Sequence, residues 1–260
     1  MTKRYSTAEV LAQANDTFLD SVSVDCVVLA FHQGNLKVLL NKFKISDKWM
    51  LPGGFVHLDE DVDDAADRII RSRVGLDNLY LKQFHLFGNC GRIRKEESLK
   101  MLNSWGVTPN DNHWFLKRFV SMGYYALVEY DKVSISVDEA VEEVSWYDLN
   151  DLPPLFADHN QIVDKAIKTI RIQVGIIPIG YELLPEKFTM PELRLIYEAI
   201  LGQELDRRNF QRKMLSVGLI NRLDEKRKNG AHKAPYLYSF NKERYEEARN
   251  GGAHLMPWTH

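Results

Sequence analysis

The sequence predicts an α+β protein, with an α/β/α sandwich over residues 1–175 and a linker and winged helix-turn-helix over 176–260. Three observations carry this expectation. Apolar β-branched runs alternate with helical patterns through the longer N-terminal part. A glycine- and proline-marked break follows at 175–180. Beyond it, two capped helical patterns lead into a hairpin with a basic tip.

Taken in order, residues 22–31 and 36–43 are strands joined by His32-Gln33-Gly34-Asn35, a tight hairpin turn. Residues 61–74 read as a helix whose apolar face is Val62, Ala65, Ala66, Ile69, Ile70 and Val74. Strands are expected at 79–86, at 115–130 (long enough to bend) and at 143–147. A helix over 162–174 has Asp158 or Asn160 as its cap. Thr189-Met-Pro-Glu192 opens the next helix with a capping box and an early proline. Leu193, Ile196, Tyr197, Ile200 and Leu201 form its buried stripe, and Gly202 ends it. Asp206 caps a second helix that buries Phe210, Met214 and Leu215 and stops at Gly218. Residues 219–223, the basic turn Lys226-Arg-Lys-Asn-Gly230 and residues 235–240 complete the hairpin. Helix, short turn, helix and basic-tipped hairpin are the plan of a winged helix-turn-helix.

Composition narrows the partners. The chain has 260 residues, long enough for two cores, and its 34 basic and 36 acidic residues leave a net charge of −2. The distribution is uneven: from Tyr181 onward 14 basic residues face 11 acidic ones, and within 206–233 the ratio is 9 to 3. That is a local nucleic-acid footprint in a neutral chain. Two cysteines, Cys26 and Cys90, are too few for a disulfide framework or a thiolate zinc site. No apolar run approaches the roughly 20 residues of a membrane span, and the N-terminus lacks a signal-peptide core. A cytoplasmic protein without a cofactor and without membrane contact is expected.

The helix opened by Asp206 presents Arg207, Arg208, Asn209, Arg212 and Lys213, whose guanidinium and amide groups can pair with guanine and adenine edges. Lys226, Arg227, Lys228 and Lys233 in the wing suit phosphates, which give affinity without sequence information. A second reading stays open for each single charge, that it is only the solvated face of a small domain.

The stretch from Gly54 to Leu76 has a diagnostic spacing. Gly54, Glu60, Arg68, Ile70, Gly75 and Leu76 fall where the Nudix box has its glycines, first glutamate, arginine and apolar positions. This resembles the signature of enzymes that cleave nucleoside diphosphate derivatives. The three later glutamates of the pattern read Ile69, Ser72 and Arg73. These positions share one helix face. In active enzymes of the family it supplies carboxylates to Mg²⁺, which needs oxygen ligands. One surviving carboxylate, Glu60, does not hold a catalytic ion, so neither enzyme activity nor a metal is expected. Glu60, Asp63, Asp64 and Asp67 form a displaced acidic face, either a relocated metal site or acids favoured by a helix N-terminus.

The whole arrangement, with Pro178-Ile-Gly-Tyr-Glu-Leu-Leu-Pro-Glu-Lys-Phe188 and Asp206-Arg-Arg-Asn-Phe-Gln-Arg-Lys-Met214, resembles the NrtR-type Nudix-related transcriptional regulators. The resemblance implies a homodimer on a palindromic DNA operator, acting as a repressor. It also implies an effector in the Nudix-like domain, ADP-ribose in one branch and a pentose in an arabinose-regulator branch. Loss of the box carboxylates and an insertion at about 92–113 point to the sugar branch, with L-arabinose as the expected effector. The alternatives are a regulator that responds to ADP-ribose or another nucleotide, and a Nudix hydrolase acting on a nucleoside diphosphate derivative. Trp49, Phe55, His57, Glu60, Asp25, Lys42, Arg92, Asp158 and His159 are candidates to line the pocket. Duller roles stay open for several. Trp49 is equally a core residue, the histidines satisfied loop residues and Asp158 a helix cap. Asp25 in an apolar strand needs a partner, for which Lys42 on the neighbouring strand is suited.

Overall fold

The computed structural model describes residues 17–44, 47–77, 79–137, 141–174, 179–227 and 234–251. These fall into two compact units. The first draws on residues up to 29, 37–126 and 132–166, and the second on 30–36, 127–131 and residues from 167 onward.

Strand β1 (Phe18–His32) turns through Gln33 and Gly34 into β2 (Asn35–Phe43). Both turn residues have positive φ, 50° and 85°, as a two-residue hairpin turn of this hand requires. Residues 23–30 of β1 are buried without interruption, so the strand is covered on both faces. Short strands β3 (Trp49–Met50) and β4 (Gly53–His57) precede helix α1 (Val62–Val74). Next come β5 (Tyr80–Phe87), α2 (Lys95–Ser104), β6 (Val120–Val128), β7 (Val141–Asp148) and α3 (His159–Gln173). Among the described residues the seven strands form one sheet of order β3-β2-β1-β6-β5, with β4 joined to β1 and β7 to β2. β4 runs antiparallel to β1 and sets Gly53 opposite Asp25 and Gly54 opposite Val24. Only glycine fits at 53, because a Cβ there would lie 2.6 Å from Asp25 Oδ1 and 2.8 Å from the Val24 carbonyl oxygen.

The segment expected as an insertion is ordered. Ser98, Met101 and Leu102, spaced for one helix face, are the buried residues of α2. Leu102, Trp114 and Phe119 pack with Phe18, and Phe55, Trp105 and Phe115 close over them. This packing corrects the expected strand at 115–130. A 3-10 turn occupies Trp114–Leu116, where His113 Nδ1 accepts the Phe115 N–H at 3.3 Å, and the strand begins only at Val120.

In the second unit, β8 (Phe188–Thr189), α4 (Met190–Leu201), α5 (Arg207–Val217), β9 (Ile220–Lys226) and β10 (Tyr236–Phe240) make a winged helix. Its sheet order is β8-β10-β9. The capping box is complete: Glu192 N–H donates to Thr189 Oγ1, and Glu192 Oε2 accepts the Thr189 N–H at 2.7 Å. Asp206 accepts the Asn209 N–H at 2.8 Å, and Gly202 and Gly218 close their helices in the left-handed conformation. Leu215 corrects the expected stripe. Phe210 and Met214 are buried four residues apart, while Leu215, one position on, is 39% exposed. A last helix, α6 (Lys242–Gly251), went unread in the sequence. Asn241 caps it by accepting the Arg244 N–H, and its Tyr245 is buried against Tyr181, ring centroids 4.2 Å apart.

Among the described residues no helix is long and apolar enough to cross a membrane. Cys26 is buried and Cys90 exposed, both as free thiols.

Candidate effector cleft and nucleic-acid interface

Four of the expected pocket residues converge on one buried network in the first unit. Asp25 stands on β1, Arg92 follows β5, and Asp158 and His159 lie at the start of α3. Arg92 grips Asp158 through two bonds, Nε to Oδ2 and Nη2 to Oδ1, both 3.0 Å, and reaches Asp25 Oδ2 at 3.2 Å. Ser121 Oγ donates to the same Asp25 oxygen at 2.6 Å. His159 Nδ1 accepts the Leu51 N–H at 2.9 Å, which leaves Nε2 as the protonated nitrogen, 3.7 Å from Asp25 Oδ1. Burial holds the His159 imidazole below its usual range, outweighing Asp25 and Asp158. For Arg92 burial also acts against the charge, but Asp158 and Asp25 outweigh it and hold the guanidinium charged.

This network corrects two expectations. Asp25 takes Arg92 and Ser121 in place of Lys42, whose amine instead lies 3.4 Å from Glu142 on β7. Asp158 precedes α3 and accepts the Gln161 and Ile162 N–H groups through its carbonyl, but both side-chain oxygens serve Arg92, so its carboxylate is no cap.

Arg92 and Asp158 form part of the wall of a cleft of about 280 Å³, joined by Lys48, Asn89, Arg94 and Gln161. Lys48 is tied to Glu97 of α2 at 2.8 Å. Ala157, also on the wall, has φ of 48°, a left-handed backbone unusual for a residue with a Cβ. Ser121 in the network, and Lys48 and Arg94 on the cleft wall, were not read from the sequence, where they carry no local pattern.

The other candidates lie elsewhere. Trp49 packs edge-on against Tyr147, centroids 4.7 Å apart. Phe55 and His57 belong to the aromatic cluster, with His57 4.8 Å from Phe18. Glu60 is held by the His57 N–H at 2.7 Å and by Arg68 Nε at 2.9 Å, and Arg68 also donates to the Phe55 carbonyl. Burial raises the Glu60 carboxyl, but the Arg68 and His57 bonds outweigh it and leave it below the usual carboxylate range.

The box positions that match the pattern thus serve as fastenings. Glu60 and Arg68 tie the loop to α1, and Gly75, at φ of 66°, ends the helix. At the substituted positions, Ile69 is buried against Gly54, Ser72 donates to the Ile69 carbonyl at 2.7 Å, and Arg73 is buried. On the displaced acidic face, Asp63 accepts from Tyr124 and Asp67 pairs with Arg71. Among the described residues no three acidic, histidine or cysteine side chains are grouped to hold a metal.

In the second unit the first turn of α5 exposes Arg207, Arg208 and Asn209, with Arg212 beyond them. Arg212 donates to Asn209 Oδ1 at 2.9 Å, so these two groups present themselves together. Lys213 is half-buried and Lys226 exposed. Lys228 and Lys233 lie outside the described residues. Arg227 does not stand free in the wing: it pairs with Glu192 of the capping box and donates to the Lys187 carbonyl. Arg222, missed in the sequence, stacks on Tyr236 with its guanidinium carbon 3.7 Å from the ring centroid.

The NUDIX domain family matches residues 20–168, and the NrtR DNA-binding winged helix domain family matches residues 180–240. The chain is 27% identical over 232 residues to the ADPR responsive transcriptional repressor NtrR of Acinetobacter baylyi, covering 86% of this chain and 84% of that protein. The crystal structure of Shewanella oneidensis NrtR complexed with a 27mer DNA is 25% identical, with a TM-score of 0.68 over 86% of this chain and 95% of that one. A MutT/nudix family protein of Enterococcus faecalis shares the fold at 22% identity, with a TM-score of 0.62 over 91% and 94% of the two chains.

Proposed function

We infer that the chain, which belongs to the Nudix family and carries an NrtR-type winged helix behind that domain, is a DNA-binding transcriptional repressor whose Nudix domain senses a small ligand. The observation that carries this reading is the exposed first turn of α5. Three consecutive residues, Arg207, Arg208 and Asn209, project hydrogen-bonding groups from a rigidly capped helix. Relatives whose names describe a repressor and a DNA complex support it. In this reading two copies of the chain bind a palindromic operator in the cytoplasm. The domain boundary near 175 lies outside the described residues.

The Nudix domain is proposed to have given up hydrolysis. A buried isoleucine, a serine bonded to its own helix and a buried arginine occupy the face where the family's metal-binding glutamates stand. Without a cluster of oxygen ligands, Mg²⁺ cannot activate water.

For the effector we favour a sugar, with L-arabinose as the first ligand to test. The cleft beside Arg92 and Asp158 is small, about 280 Å³, at the lower limit of the ~300–1,000 Å³ of ordinary ligand sites. Its amides and charged groups suit hydroxyls, and among the described residues no aromatic ring stands in its wall for an adenine to stack on. ADP-ribose is the second reading, favoured by the name of the Acinetobacter baylyi relative. Thermal unfolding of the full chain with L-arabinose, D-xylose and ADP-ribose separates them. A dose-dependent rise with L-arabinose supports the sugar reading, a rise with ADP-ribose alone replaces it, and no rise with any ligand removes the sensor. Mg²⁺-dependent turnover of ADP-ribose, abolished by Asp64→Asn, would overturn the non-catalytic reading.

A further inference from the structure

The winged helix sorts its cations into two sets. Lys187 is paired with Glu225 at 2.8 Å, Arg194 with Glu198 at 2.6 Å and Arg227 with Glu192. Among the described residues Arg207, Arg222 and Lys226 have no carboxylate partner. Two of them, Arg222 and Lys226, meet at one side chain, and the third shares a cleft wall with it. Tyr236 shares with Arg207 the wall of a cleft of about 320 Å³ that α4, α5 and the wing strand β10 line together. The same ring carries Arg222 at 3.7 Å and the Lys226 amine at 4.7 Å from its centroid.

We propose that Arg222 and Lys226, held on the Tyr236 ring, form a seat for a DNA backbone phosphate on the wing, beside the cleft that Tyr236 lines with Arg207. An aromatic face orients a cation without neutralising it, so the charge stays available to an anion. Two cations on one ring repel each other, and a phosphate bound to both relieves that repulsion. Tyr236 lines one cleft with Arg207, the chain neighbour of Arg208 and Asn209, so a phosphate held on this ring would set the register of the base-reading groups. This inference rests on the DNA-binding reading above and extends the interface to Arg222 and Tyr236.

The test is the salt dependence of DNA binding by the full chain, followed by fluorescence anisotropy on a mixed-sequence duplex. No operator is needed, because the phosphate contribution is independent of sequence. Arg222→Ala is expected to weaken binding to any duplex and to take about 0.9 from the slope of log affinity against log salt, the value of one phosphate contact. Tyr236→Ala should act in the same direction, while Tyr236→Phe keeps the ring and should keep the wild-type slope. Arg227→Ala should leave the slope unchanged, since that guanidinium is committed to Glu192. Wild-type slopes for Arg222→Ala and Lys226→Ala, in variants with the wild-type circular dichroism spectrum, would overturn the seat and leave DNA binding standing. No binding of any duplex by the wild type would remove both.

Discussion

Arg92 decides how the first unit holds its buried charge. Its side chain is 3% exposed and neutralises two carboxylates, Asp25 and Asp158, that β1 and the start of α3 bring to it. Arg92→Ala strands both acids without a cation, and a buried pair broken on one side costs about 3–5 kcal/mol. Urea unfolding should show that loss, and Arg92→Lys should recover only part of it because an ammonium cannot make the two parallel bonds. His159 gives a pH signature. Its folded pKa lies below the ordinary value of 6.5, so the unfolded chain takes up the proton first. Stability should therefore be complete above that value and fall as pH drops through it. Protonation at Nδ1 also costs the bond from Leu51. Melting temperatures between about pH 7.5 and 5.5 should decline less in His159→Asn than in the wild type. An equal decline in both would locate the acid sensitivity elsewhere. Glu60 adds a second loss at lower pH: its depressed carboxyl stabilises the fold above the ordinary value of 4.5 and stops doing so as pH falls through the folded pKa.

At the scale of elements, helix ends were legible and long-range partners were not. Thr189, Glu192, Gly202, Asp206 and Gly218 act where the sequence placed them, because a cap depends on residues three or four positions away. The turn at Gln33-Gly34 was legible for the same reason. The partner of Asp25 was not. Strand adjacency suggested Lys42, whereas the cation that arrives is 67 positions away in the chain. Helix α2 escaped because its segment read as an insertion, although Ser98, Met101 and Leu102 have helical spacing. The box shows the same division. Its matching residues proved to be fastenings of loop and helix. Glu192 joins two elements, accepting from Thr189 and pairing with Arg227 at the base of the wing. Glu192→Ala should cost about 1–2 kcal/mol through the cap, with little added by the half-exposed ion pair. Hydrogen exchange should quicken at both the first turn of α4 and the β9–β10 ladder. Faster exchange at α4 alone would show that the wing needs no such anchor.

At the scale of the molecule, a Nudix domain whose box helix carries Ile69, Ser72 and Arg73 stands in one chain with a winged helix that holds Arg222 and Lys226 on one aromatic ring. The two features explain each other if the first binds a ligand and the second reads DNA. An active hydrolase would need the metal face, and a purely structural module would need no polar cleft of buried charges at Arg92 and Asp158. The reading of DNA is the claim on which the rest depends. It is tested most directly by selecting duplexes from a randomised library with the full-length protein and sequencing what is retained. The wild type is expected to enrich a two-fold symmetric site, and Arg208→Ala to lose that enrichment while keeping general binding. A retained pool that stays random for the wild type would contradict that claim.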